Sequence, residues 1–109
     1  MNTYESETYW ARIYSSGPIE EAKNILRREC LREGLCLTVE PTTYIYTGGE
    51  EVGFVVGLVN YPRFPATAEF IHERALLVAN EILAGCFQHS VMLMGPEKTV
   101  WITRRGSAP

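Results

Sequence analysis

Chemistry in so short a chain depends on which histidines, cysteines, arginines and carboxylates can meet. The 109 residues include two histidines, His72 and His89. Neither sits in the spacing of a zinc-protease helix, a metal site or a paired phosphodiesterase motif. His72 precedes Glu73 in a stretch with helical periodicity, where an exposed or interface histidine is expected. His89 stands just before a strand, with no nucleophile or acid that the sequence assigns to it. Cys30, Cys36 and Cys86 form no CxxC pair and are odd in number, which points to reduced thiols in a cytoplasmic protein. The expectation is no catalytic residue, no metal ligand and no cofactor.

Two glycine-bearing stretches invite a phosphate reading. Thr47-Gly48-Gly49-Glu50 lacks the spacing and lysine of a phosphate loop and joins strand to strand, so it reads as a hairpin turn. Ser16-Gly17-Pro18 heads a helix, but Glu20 and Glu21 already use that helix dipole. Arg27, Arg28 and Arg32 follow Glu20, Glu21 and Glu29 at helical spacings and read as a solvated face. Arg63, held between Pro62 and Pro65, and Arg104, followed by Arg105, are positioned by prolines and strand ends to anchor a carboxylate or phosphate. Tyr61, Arg63 and Phe64 together have the makeup of an interface hot spot.

The elements that must position these residues follow from periodicity. Residues 9–14 are aromatic and β-branched, as in a strand. Pro18 suits the first position of a helix whose apolar residues Ile19, Ala22, Ile25, Leu26 and Cys30 recur at spacings of three and four, with Gly34 as its stop. Residues 35–46 read as one irregular edge strand interrupted at Pro41, and residues 52–61 as its partner across the Gly-Gly turn. A second helix runs from Ala66 to Ala84, apolar over so much of its circumference that it should be buried on two sides. Residues 90–94 and 99–103 form a final hairpin. The order β-α-β-β-α-β-β predicts an α+β fold: a ferredoxin-like βαββαβ plait with an extra C-terminal strand, two helices on one face of a mainly antiparallel five-stranded sheet. Numbered along the chain, the strands should lie in the order 5-4-1-3-2. One domain spans 1–109, with residues 1–7 and 105–109 expected as flexible tails.

Alternation places Val52, Phe54, Val56 and Leu58 on one face of the third strand and Gly53, Val55, Gly57, Val59 and Tyr61 on the other. Both faces lack charge, so the side without helices should be covered too. Trp10, Tyr14, Tyr44 and Tyr46 add aromatic cover, and Gly53 and Gly57 admit a ring, another backbone or a ligand. Gly53-Phe54-Val55-Val56 resembles the base-stacking third strand of RNA-recognition domains. Glu50, Glu51 and a net charge of −3 argue against nucleic acid, and no stretch spans a membrane.

The expected function is a small non-enzymatic protein-interaction module, a homodimer through the sheet face or a binder of another protein. Compact acidic proteins of this size resemble phage-borne inhibitors of bacterial defence complexes. The alternative is a small-ligand or nucleotide-binding protein with its site at the sheet face or dimer interface, ringed by Tyr44, Tyr46, Arg63 and Arg104.

Overall fold

The computed structural model describes residues 1–105. The chain runs β1 (Trp10–Ser16), α1 (Ile19–Arg32), β2 (Thr38–Tyr46), β3 (Gly49–Val59), α2 (Ala68–Gly85), β4 (Ser90–Met94) and β5 (Thr99–Thr103). The strands form one antiparallel sheet in the order β2-β3-β1-β4-β5, which is the α+β ferredoxin-like plait with an added edge strand that the sequence predicts. Of the expected C-terminal tail, residues 106–109 lie outside the described residues.

Strand alternation sorts the sheet. Ala11, Ile13 and Ser15 of β1, Phe54, Val56 and Leu58 of β3, and Val91 and Leu93 of β4 are buried beneath the helices. Phe54 is wholly enclosed, a burial worth roughly 1.5–3 kcal/mol relative to an exposed ring. From α1 come Ala22, Ile25 and Leu26, and from α2 come Ile71, Ala75, Val78, Ala79, Ile82 and Leu83. α2 is covered on two sides, lying on the sheet and against α1, where Gly85 gives Ile25 room to approach.

The ends of the elements follow local chemistry. Pro18 sits one residue before α1, at its cap, in an extended conformation. Gly34 falls beyond the helix, which stops at Glu33. α2 begins two residues later than its apolar run implies, because the Thr67 side chain accepts a hydrogen bond from Phe70 N and fixes the start. β2 is continuous through Pro41, which pairs opposite Phe54 on the sheet edge, where a missing N–H costs no ladder bond. Thr47 and Gly48 make the two-residue turn to β3, with Gly48 at φ +89°.

An ion-pair cluster stitches α1 to α2. Glu29 is buried; Arg32 donates to its carboxylate through Nε at 3.1 Å and through Nη2, and Arg74 Nη2 lies 3.4 Å from it. The hydrogen bonds from Arg32 outweigh burial and hold the Glu29 carboxyl below the usual carboxylate range. Glu81, on α2, is pushed the other way by burial and by Glu29 beside it.

Candidate functional site

The third strand leaves the sheet at Asn60, and this residue ties a corner together. It is the next position on the buried face after Phe54, Val56 and Leu58, and it is itself buried. Its Nδ2 donates to Glu7 O at 2.7 Å, its Oδ1 accepts from Ala66 N at 2.8 Å, and its carbonyl accepts from Ser6 Oγ at 3.1 Å. Residues 6 and 7, expected in a loose tail, are thereby joined to the end of β3 and the approach to α2.

Directly after Asn60 the chain folds into a β-turn, with Phe64 N donating to Tyr61 O at 2.9 Å and Pro62 at the second position, where its fixed φ is favourable. The turn brings the Tyr61 and Phe64 rings to 6.2 Å between centroids and lays the Arg63 guanidinium over Phe64 at 5.3 Å. Between this turn, the first turn of α2 and the segment after α1 lies a cavity of about 650 Å³. Tyr61, Phe64 and Phe70 supply its rings, Leu35 and Ile71 its aliphatic wall, and Cys36 and Thr67 its polar edge. The Thr67 hydroxyl accepts from Phe70 N, which leaves its own proton to donate.

On the other flank of the α2 N-terminus a cavity of about 520 Å³ has a different character, lined by Tyr9, the Trp10 segment, Glu69, His72, Glu73 and Lys98. Among the described residues no group of three or more histidines, cysteines or carboxylates is arranged to hold a metal.

The structure gathers only some of the residues singled out in the sequence. Tyr61, Arg63 and Phe64 form the corner just described. Arg104 stands at the opposite end of α2, donating from Nη2 to Leu83 O at 3.2 Å and from its backbone to His89 O at 2.7 Å. Tyr44 and Tyr46 lie toward the tip of the β2–β3 hairpin, where the Tyr44 hydroxyl donates to Phe54 O at 2.9 Å and the Tyr46 hydroxyl to Glu51 at 3.2 Å. Within one chain Tyr44, Tyr46, Arg63 and Arg104 do not ring a single ligand: 18 residues of α2 separate Arg63 from Arg104, about 27 Å of helix.

Trp10, Tyr14, Gly53 and Gly57 share the helix-free face, with Arg12 over the Trp10 ring at 5.1 Å. Gly53 admits a ring as expected, and that ring is the chain's own Tyr44.

No family model and no curated protein matches the chain. Two solved structures do. A phage SAM lyase in complex with S-methyl-5′-thioadenosine has a TM-score of 0.63 at 12% identity, covering 99% of this chain and 98% of that one. A phage SAM lyase in its apo state has a TM-score of 0.66 at 16% identity, covering 92% of each chain. At these identities the likeness shows the fold, and it shows it along the whole chain.

These neighbours overturn the expectation of a non-enzymatic interaction module, since the solved chains built this way are enzymes. One of them holds a small molecule, which fits the alternative reading of a small-ligand protein and lends nothing to the expected self or protein partners. No helix among the described residues is long and apolar enough to cross a membrane.

Several lining residues escaped the sequence. Leu35, Cys36 and Thr67 come from segments flanking the elements and Phe70 from the first turn of α2, and periodicity carries no signal for what they enclose together. Asn60 had a signal: continuing the even-numbered alternation past Leu58 places an amide on the buried face.

Proposed function

We propose that the chain is a lyase of S-adenosylmethionine that releases S-methyl-5′-thioadenosine, with the cavity at Tyr61, Phe64 and Phe70 as its site. The observation that carries this reading is the agreement in fold with a phage SAM lyase over 99% of this chain and 98% of the other. The rings offer faces to the purine and to the sulfonium, which π faces attract as they do other onium cations. The Thr67 hydroxyl is free to donate to the ribose.

Thioadenosine is what remains of S-adenosylmethionine when the bond from sulfur to the four-carbon amino-acid arm breaks. The sulfur keeps the bonding pair and becomes a neutral thioether, and the γ-carbon of the arm must gain a new bond or the arm must lose a β-proton. The described lining holds no carboxylate or imidazole to take that proton. It therefore favours attack by the arm's own carboxylate oxygen on the γ-carbon, closing a five-membered lactone with no protein base. That step merges a carboxylate with a sulfonium and destroys both charges. Water solvates the separated charges better than the nearly neutral transition state, so a water-poor aromatic cavity lowers the barrier. The protein's remaining task is to hold the arm folded on itself.

Incubation of the purified protein with S-adenosylmethionine should yield S-methyl-5′-thioadenosine and the lactone in equal amounts by chromatography. Tyr61→Ala and Phe70→Ala should each lower kcat/KM about tenfold, the equivalent of one lost aromatic contact. A folded protein that forms no thioadenosine from millimolar substrate overturns the proposal.

In the same proposal a second copy covers the helix-free sheet face, making a homodimer in the cytoplasm. In support, Val55, Tyr14, Met92 and Trp101 lie in one cross-strand row on that face, and Trp101 and Val59 are exposed. Light scattering that finds a monomer at micromolar concentration refutes this part.

A further inference from the structure

Arg74 is 4% exposed, an unusual place for a guanidinium, and it lies one helical turn after Phe70. Toward α1, its Nη2 donates to Glu33 O at 3.3 Å, and its Nη1 is 2.7 Å from Glu33 Oε2, close enough for an ion pair though off the line of a hydrogen bond. Toward the cavity, the guanidinium lies over the Phe70 ring, 6.0 Å from its centroid. Glu33 caps α1 and runs directly into Gly34, Leu35 and Cys36, which line the cavity on one side, while Phe70 lines it on the other. Segment 34–37 is neither helix nor strand, so its place depends on what anchors it.

A buried cation is costly unless its partners repay desolvation. An apolar side chain would fill the same space, but it could not grip a backbone carbonyl on one segment and underlie a ring on another. The α1–α2 contact does not rest on Arg74 alone, because Ile25 of α1 packs into the space left by Gly85 of α2. Removing Arg74 should therefore release the wall before it releases the helices.

We infer that Arg74 is a positioning residue that couples the Glu33–Cys36 wall to Phe70 and so sets the width of the cavity. The ligand's identity rests on the lyase reading above; the coupling does not. It adds a role to a charge that the fold also uses in its ion pair with buried Glu29 and that the proposed chemistry does not touch. Arg74 touches no substrate, so its effect should fall on binding and leave the bond-breaking step intact.

Two variants and two readouts test this. Arg74→Met keeps the aliphatic stem and removes the grip; Arg74→Lys keeps a charge able to reach one partner. With S-adenosylmethionine, Arg74→Met should raise KM about tenfold while kcat stays within about twofold, as for one lost charged hydrogen bond acting on binding, and Arg74→Lys should recover most of the loss. Independently of catalysis, a nitroxide on the exposed Cys36, in a Cys30→Ser background, reports wall mobility. Its spectrum should narrow in Arg74→Met and in Glu33→Gln, which removes the wall's own carboxylate, and stay close to the parent in Arg74→Lys. Unchanged spectra in Arg74→Met and Glu33→Gln overturn the inference. So does a fall in melting temperature shared equally by both Arg74 variants with kcat and KM changing together, which marks a merely structural role. If the parent protein makes no thioadenosine, only the lyase reading fails, and the Cys36 spectra still decide the coupling.

Discussion

Gly53 and Gly57 lie on the same face of β3, yet a methyl group should be tolerated at one and rejected at the other. A Cβ on Gly53 would overlap Ser15 O, sit 2.8 Å from Ser16 Cα and 2.5 Å from Tyr44 Cε2. Two of those atoms are backbone of the neighbouring strand and cannot rotate away. Gly53→Ala must then prise β1 from β3 and displace the Tyr44 ring from its hydrogen bond to Phe54 O. Overpacking of this kind costs about 1–3 kcal/mol and the lost hydrogen bond about 1 kcal/mol, offset by about 0.4–1 kcal/mol from a stiffer unfolded chain. The net is a loss of about 2 kcal/mol. On Gly57 the new Cβ meets only Thr38: its Oγ1 at 2.5 Å and its Cβ at 3.9 Å. Thr38 lies on the edge strand and its side chain can turn outward, so Gly57→Ala should change stability by less than about 0.5 kcal/mol. Urea unfolding followed by circular dichroism separates the two. With a slope of about 1–2 kcal/mol per molar urea, Gly53→Ala should lower the midpoint by about 1–2 M while Gly57→Ala leaves it nearly in place. Equal midpoints for the two variants would refute the packing argument.

Phe87 follows the α2 cap with φ +53°, while Gln88 N donates to Leu83 O at 3.1 Å and Phe87 N to Ala84 O at 3.4 Å. The ring is exposed, so Phe87→Gly removes left-handed strain without losing packing and should stabilise by about 1 kcal/mol, raising Tm by about 4 °C in calorimetry; an unchanged Tm refutes it. The Glu29 carboxyl is held below its ordinary range in the folded chain, so the stability it contributes is present above that range and lost as pH falls through the lowered value. Glu81 has the opposite sign, its contribution being lost as pH rises from the ordinary range toward its raised value. Glu29→Gln should accordingly flatten the acid limb of a Tm-against-pH curve and Glu81→Gln its less acidic side, and an acid limb unaltered in Glu29→Gln counts against the ion-pair reading.

The plait and its strand order were legible because alternation in residues 52–58 and helical spacing in 19–30 are properties of short windows, and right-handed connections leave few ways to assemble them. The corner at Tyr61, Arg63 and Phe64 was legible for a similar reason: two prolines and a turn signal lie within five residues. What the windows could not carry was adjacency between distant segments. Arg104 and Arg63 look alike as strand-end arginines, and only the path of α2 shows that they serve opposite ends of the molecule. Arg74 was hidden inside an apolar helical run, because spacing shows which face a residue takes but not that a carbonyl waits there. The non-enzymatic expectation rested on the lack of a catalytic motif, and under the lyase proposal the substrate supplies its own nucleophile, so no such motif is required.

The bonds at Asn60 also bear on the order in which the molecule assembles. They join positions 53 and 54 residues apart along the chain, and the closure entropy of so long a loop must be met before the corner can hold. The β2–β3 hairpin, closed by a two-residue turn, can form early and locally. The cavity should then be among the last parts to form during folding and among the first to open under native conditions, with the amides of Asn60 and Ala66 exchanging with solvent through local opening well before those of β3.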